Sequence, residues 1–258
     1  MVKQKTTLHA PFLKRIEAQY DAISDMEIYP FSIPAISSGN FAIEFKNRVT
    51  IIAGDNGIGK STLLEAIAAH CGFSLTGGTK NHAHMSSESE TLSKFLRFSW
   101  LPKVTHGFFL RAETFFSFIQ NIDDIAESSD SGIYDVYGGK SLRKRSHGES
   151  FIEIFENRFG GQGVFILDEP EAALSPMRQV DLLKLLLRMD QSMECQIIIA
   201  THSPLIMAYP NAQLIRMTSE GIEEVEFHEI DHFKILRDFY LNPDGFMAGV
   251  LMEETDIP

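Results

Sequence analysis

Two cysteines in 258 residues, Cys71 and Cys195, leave no disulfide framework on which a fold could rest. They read as reduced, buried, small apolar side chains of a cytoplasmic protein. Long apolar runs are missing too: the longest, such as residues 164–167 and 197–200, fall far short of the roughly 20 residues that span a bilayer. No membrane insertion is expected. The basic start from Met1 to Lys5 continues into polar residues where a secretory signal needs an apolar stretch, so export is not expected either. Positive charge is in the minority, with 23 Lys and Arg against 35 Asp and Glu, a net charge of −12 and a pI near 5.2. Such a surface repels a phosphate backbone and disfavours nonspecific nucleic-acid binding, although nucleic acid stays open as a partner class. No internal repeat, heptad run or long low-complexity tract is present.

What is there fits one α/β domain over residues 1–258, with 44% hydrophobic residues to fill a core. The apolar spacing over 8–23 predicts an amphipathic helix, and 27–33, 41–45 and 49–53 predict strands. Helices are predicted over 61–70, 113–125, 149–157 and 176–189, with strands at 108–112, 164–167 and 196–201. That alternation implies a mainly parallel sheet flanked by helices, with an antiparallel portion near the N-terminus. Two polar stretches, 72–94 and 127–145, read as variable connections. His82 and His84 lie in the first, but no Cys or carboxylate stands at ligand spacing to make them a metal site. The densest basic cluster, Lys140, Arg143, Lys144 and Arg145, lies in the second and reads equally as a solvated linker or a local anion patch.

The chemistry concentrates in three places. Gly54, Asp55, Asn56, Gly57, Ile58, Gly59, Lys60 and Ser61 fit the P-loop pattern, between an apolar strand and a helix. Backbone N–H groups of such a loop, continuing through Thr62, cradle phosphates at the positive helix end. Lys60 is expected to reach the β- and γ-phosphates of ATP, and the Ser61 hydroxyl to bind Mg2+. Four apolar residues then lead into Asp168 and Glu169, which delivers two carboxylates to the ligand-binding edge of a parallel sheet. Asp168 suits a magnesium ligand and Glu169 a base for the attacking water, a structural acidic turn being the plainer alternative. Ser146, His147, Gly148, Glu149 and Ser150 form a small polar loop that opens a helix, as a second anion site or a simple cap.

The order of P-loop, Ser146-to-Ser150 segment, Asp168-Glu169-Pro170, and Thr201-His202-Ser203-Pro204 resembles the ABC ATPase superfamily over residues 49–204. The segments around Ser146 and Glu171 are similar to a family of small bacterial predicted ATPases, AAA-like and related to the chromosome-maintenance and recombination branch. The resemblance implies an ATP-dependent head-to-tail homodimer, in which the signature residues Ser146 and Gly148, with Glu149, close over the other copy's ATP. It implies that His202 touches the γ-phosphate and that Glu171 to Ser175 line the dimer seam. Glu113 is the best stand-in for the family's missing glutamine as a further magnesium ligand, an ordinary helix-start acid being the equal alternative. Tyr29 and Phe31 are candidates for the aromatic that stacks on adenine, with core packing the alternative for each. The chain lacks the long coiled-coil arm of many DNA-repair members. It also lacks the Leu-Ser-Gly-Gly-Gln signature of transporter subunits and the Asn-Lys-x-Asp motif of GTPases.

Overall fold

The computed structural model describes residues 7–74, 87–128, 147–158 and 161–253. Three strands are buried along their whole length: β3 (Val49–Ala53), β6 (Gly163–Asp168) and β7 (Cys195–Ala200). Near-continuous Val, Ile and Leu with no polar face is what a strand covered on both sides requires. They lie in a six-stranded sheet with β5 (Gly107–Arg111), β8 (Ala212–Thr218) and β9 (Gly221–Glu224), ordered β5-β6-β7-β3-β8-β9. All pairings are parallel except the β8–β9 hairpin.

Because successive side chains leave a strand on opposite faces, each strand feeds two cores. Phe165, Leu167, Ile197 and Ile199 pack with α4 (Ala112–Ser128), α5 (His147–Arg158) and α6 (Pro176–Ser192). Ile166, Ile198 and Ala200 pack on the other face with α2 (Lys60–Cys71) and with an antiparallel sheet ordered β2-β1-β4. That sheet is made of β1 (Leu13–Ala18), β2 (Ala42–Glu44) and β4 (Leu96–Trp100). Cys71 and Cys195 are both free and buried, as expected.

Two sequence expectations fail here. Residues 8–23 hold the strand β1 rather than a helix. Its register against β4 slips between Leu13 and Arg15, and this bulge lets Leu13 and Ile16, three residues apart, both point inward. A spacing of three imitates a helix. Residues 27–33 form turns, not a strand: Pro30 has no N–H for a ladder, and Phe31 and Ser32 both donate to Ile28 O. Within the first polar stretch, α3 (Ser87–Phe95) begins well before the predicted end of the connection and buries Leu92. His82, His84 and the cluster of Lys140, Arg143, Lys144 and Arg145 lie outside the described residues. The one-turn helices α1 (Pro34–Ser37) and α7 (Pro204–Met207) and the pair α8 (Asp231–Leu241) and α9 (Pro243–Glu253) complete the α-helices among the described residues.

Two buried glutamines join the two sheets, Gln213 on β8 through Glu44 O of β2 at 2.9 Å, and Gln196. Gln196, fully buried on β7, accepts from the N–H groups of Phe12 and Leu13, both at 2.8 Å, and donates to Leu13 O at 2.9 Å. It meets backbone groups where the chain enters β1, just ahead of the bulge. Gln196→Leu keeps the volume but orphans two buried N–H groups, each worth about 1–3 kcal/mol. Denaturant unfolding should show a loss of about 2–4 kcal/mol, and a loss under about 0.5 kcal/mol would mean that other groups satisfy those donors.

Candidate functional site

The P-loop follows β3 directly and is shaped by glycines. Gly54, Gly57 and Gly59 have φ of +150°, +76° and +103°. A Cβ at Gly54 would lie 2.5 Å from Met217 O, and one at Gly59 would lie 2.4 Å from Ile33 Cγ2. Those two positions are closed to any side chain by space as well as by φ. A Cβ at Gly57 would meet nothing within 4 Å, so that side of the loop faces open space. Gly59 caps α2 without any side-chain bond to the first turn. The N–H groups there are available to an anion.

Lys60 opens α2 and is only 4% exposed. Its Nζ donates to Gly54 O and Asp55 O, each at 2.9 Å, and faces His202 Nε2 at 2.8 Å. All three ammonium donors are thereby used. Burial draws the lysine below its ordinary pKa, against the pull of Glu169, Asp168, Asp55 and Glu171, which favour the charged form.

The carboxylate pair arrives at the end of β6. Ser61 Oγ donates to Asp168 Oδ1 at 3.0 Å, so the P-loop hydroxyl and the strand-end acid meet directly. Asp168 is 1% exposed, and burial pushes its pKa up to about 7 although Arg111 and Ser61 pull the other way. Glu169 has the left-handed backbone φ +49°, ψ +52°, uncommon for a residue with a side chain. Its N–H continues the ladder to Ala200 O at 2.9 Å, while its carboxylate stays accessible, 3.6 Å from His202 Nε2. His202 follows β7. Glu171 Oε1 accepts from the His202 N–H at 2.5 Å, and His202 Nδ1 faces His232 Nε2 at 3.3 Å. Burial, then the nearby Lys60, lowers the pKa of His202.

The structure thus brings Lys60, Ser61, Asp168, Glu169 and His202 to one place. Thr62 lies beside them, its hydroxyl 2.8 Å from Tyr29 OH. Tyr29 is 52% exposed, while Phe31 is buried edge-on against Phe95, so the two aromatic candidates part company. Gly148 and Glu149 sit at the start of α5 against α6: Glu149 accepts from Arg178 Nη2 at 3.1 Å, and a Cβ on Gly148 would come 3.1 Å from Arg178 Cγ. Ser146 lies outside the described residues. Glu113 is exposed on α4 and pairs with Arg111 Nη2 at 3.0 Å. It is linked to Asp168 through that guanidinium, whose Nε stands 3.4 Å from Asp168 Oδ2 and which also pairs with Glu65. Arg111, Glu65 and His232 are the members that sequence reasoning missed. For Arg111 a signal existed, since it ends a parallel strand at the ligand edge. His232 carries none.

The oxygen donors here, a serine hydroxyl beside a buried carboxylate, are of the hard kind that Mg2+ takes, and the open glycine backbone at a helix start suits phosphates.

An AAA-domain family model matches residues 31–107. A second, an AAA domain described as a candidate AbiEii toxin of a type IV TA system, matches 144–208. The chain is 26% identical over 231 residues to the probable ATP-dependent transporter ycf16 of Antithamnion sp., covering 77% of this chain and 87% of that protein. Among solved structures it is similar to the SMC head domain from Thermotoga maritima, with 16% identity, 83% and 99% coverage and a TM-score of 0.44. It is likewise similar to cbiO1 from Clostridium perfringens, part of an ABC transporter complex, with 22% identity, 83% and 91% coverage and a TM-score of 0.43.

The raised pKa of Asp168 has a consequence for stability. Between its ordinary value of 3.8 and about 7, the folded chain holds a proton that the unfolded chain releases. Stability therefore falls as pH rises through that window and stays low above it, by about 4 kcal/mol at most. Asp168→Asn, which keeps an acceptor for Ser61, removes this penalty. Without nucleotide its thermal midpoint should exceed the parent's at pH 8, by about 2–4 °C for each kcal/mol, and the gain should shrink toward pH 5. An equal gain at both pH values would mean that Asp168 does not titrate in this window.

Proposed function

We propose that the chain is a P-loop ATPase of the ABC type that runs a Mg-ATP cycle at a composite site between two copies, as a conformational switch, a reading that the two AAA-domain family models support in its ATPase part. The observation that carries this reading is the direct bond between Ser61 and Asp168, with Lys60, Glu169 and His202 gathered around it. In this reading the backbone of Asn56, Gly57, Ile58 and Gly59, with the first turn through Thr62, wraps the phosphates. Lys60 exchanges the carbonyls of Gly54 and Asp55 for β- and γ-phosphate oxygens. Ser61 and Asp168 hold Mg2+, which when bound offsets charge developing on the phosphates. Glu169, accessible and turned out by its left-handed backbone, orients the attacking water and accepts its proton. His202 Nε2 reaches the γ-phosphate, and the exposed Tyr29 ring beside Thr62 supports adenine stacking there. Glu113 acts through Arg111, as an outer carboxylate of the metal site.

Ser146, Gly148 and Glu149 of one copy close over the ATP of the other, with Glu171 to Ser175 along the seam. The whole chain acts as one such domain in the cytoplasm. No helix among the described residues is long and apolar enough to cross a membrane. The switch acts on DNA or on a defence target, and the toxin–antitoxin description of the second family model supports the defence alternative. A second reading, the nucleotide-binding subunit of a membrane transporter, is favoured by the name of the Antithamnion relative, and stable co-purification with a membrane protein would decide for it.

Glu169→Gln tests the core of the proposal. Turnover should fall by about 10²- to 10⁴-fold while ATP binding is kept, the range for a lost general base. The same variant should elute as a dimer in sizing chromatography when ATP and Mg2+ are present, and as a monomer without them. Undiminished hydrolysis would remove Glu169 from the role of base.

The composite site has its own test. Lys60→Ala disables the phosphate cradle and Ser146→Arg blocks the signature, so each variant alone should be inactive. A mixed dimer contains one site with an intact P-loop and an intact signature, and mixing should restore part of the activity. If heterodimers form and activity stays at zero, the composite reading with independent sites fails.

A further inference from the structure

His202 presents its two ring nitrogens to two different partners, and the chemistry of one partner fixes the other contact. The Lys60 ammonium has donors only, so His202 Nε2, 2.8 Å away, accepts. A neutral imidazole that accepts at Nε2 keeps its proton on Nδ1. That Nδ1 faces His232 Nε2 at 3.3 Å, so the His232 nitrogen is the acceptor, and the His232 ring keeps its own proton on Nδ1. Burial and Lys60 both favour the neutral form of His202, in agreement with this assignment.

His232 is the second residue of α8, and that end of the helix is the anchored one. Ile230 just before it is buried, and Phe233 just after it packs on Phe227, with ring centroids 4.6 Å apart, against the core beneath α4–α6. The remainder of α8 is solvent-facing, with Ile235, Leu236, Tyr240 and Leu241 exposed. His232 therefore has a fixed place from which to hold a neighbour.

We propose that His232 is a positioning residue for the ATPase site: it accepts the His202 Nδ1–H, fixes the ring with Nε2 toward Lys60 and Glu169, and so ties helix α8 to the nucleotide. The proposal rests on the reading of His202 as the histidine at the γ-phosphate only for its effect on turnover: a phosphate oxygen accepts, so Nε2 takes up a proton from solvent there, and the imidazolium donates from Nε2 to phosphate and from Nδ1 to His232. Its structural half stands without it. Freed of His232, the His202 ring can rotate or hold its proton on Nε2, where it would oppose the Lys60 ammonium donor to donor.

The test uses the full-length chain with 15N-labelled histidine, without nucleotide, near pH 8. Long-range 1H–15N spectra distinguish the two neutral tautomers, and loss of one set of signals in His202→Gln assigns them. In the parent protein His202 should carry its proton on Nδ1. His232→Ala should shift His202 toward the Nε2–H form or a mixture, and His232→Gln, whose amide oxygen still accepts, should restore the Nδ1–H form. On the functional side, His232→Ala should lower kcat by about 2- to 10-fold, the rate equivalent of one neutral hydrogen bond. KM for ATP should stay within about twofold, and His232→Gln should recover most of kcat. An Nε2–H tautomer in the parent, or an unchanged tautomer in His232→Ala, overturns the proposal. A tautomer that responds as expected while kcat stays constant supports the positioning contact and instead removes His202 from catalysis. Circular dichroism melting of both variants checks that α8 and the core are intact.

Discussion

An ammonium taken out of water costs several kcal/mol unless its donors are met and opposite charge lies near, and Lys60 obtains both from residues that the rest of the fold must deliver to it. Two of its three donors go to P-loop carbonyls and the third to His202, with Asp168 and Glu169 close enough to favour its charge. Those groups come from three strands, so the sheet register has to bring three strand ends level. It does: Ala200 of β7 pairs with Ile52 of β3 on one side and Asp168 of β6 on the other. The ladder continues one residue past each strand, through Thr201 N to Ile52 O and Glu169 N to Ala200 O. A slip of one residue in either pairing would turn Asp168 or His202 to the wrong face.

Around that lysine the charges are arranged in opposition rather than in neat pairs. Asp168 has Arg111 and Ser61 beside it, yet burial outweighs both and raises its pKa to about 7. Lys60 has carboxylates near it, yet burial again lowers its pKa. A buried acid and a buried base are thus each drawn toward neutrality in the nucleotide-free chain. A divalent cation at Asp168 and phosphate oxygens at Lys60 would supply each with a stronger partner of opposite sign. Arg111, held by Glu65 and Glu113, has carboxylates to retain it when a metal takes its place beside Asp168.

How much of this could be read from the chain depended on whether the informative residues were neighbours in sequence. The P-loop, Asp168-Glu169 and His202 each occupy a short segment whose flanking strand explains its position, and the structure gathers them as that pattern implies. The strand β1 was misread because a bulge at Lys14 leaves Leu13 and Ile16 facing the same way, which no period-two pattern reveals. Tyr29 and Phe31 looked alike in sequence, and only the turn around Pro30 sends one to the surface and the other into the core. Arg111 and His232 act through partners 57 and 30 residues away, Asp168 and His202, and no local periodicity records such a meeting.

His202 is held by three elements at once, and their bonds are unequal. The turn after β6 holds its backbone through the Glu171 carboxylate at 2.5 Å, and α2 holds Nε2 through the Lys60 ammonium at 2.8 Å. Both are charge-assisted, a class roughly twice as strong as neutral hydrogen bonds. The contact to α8 joins two imidazoles at 3.3 Å, a long and uncharged bond whose net worth is about 0.5–1.5 kcal/mol. When phosphate oxygens compete for Lys60, the Nε2 contact is the one that the ligand replaces, while the Glu171 bond leaves the backbone where it was. The ring is then free to adjust only about its side-chain torsions, and the weak contact to His232 becomes the term that decides where it points. A helix held to the rest of the chain chiefly at its first turn is thereby placed where a change of less than 2 kcal/mol can alter the geometry of the site.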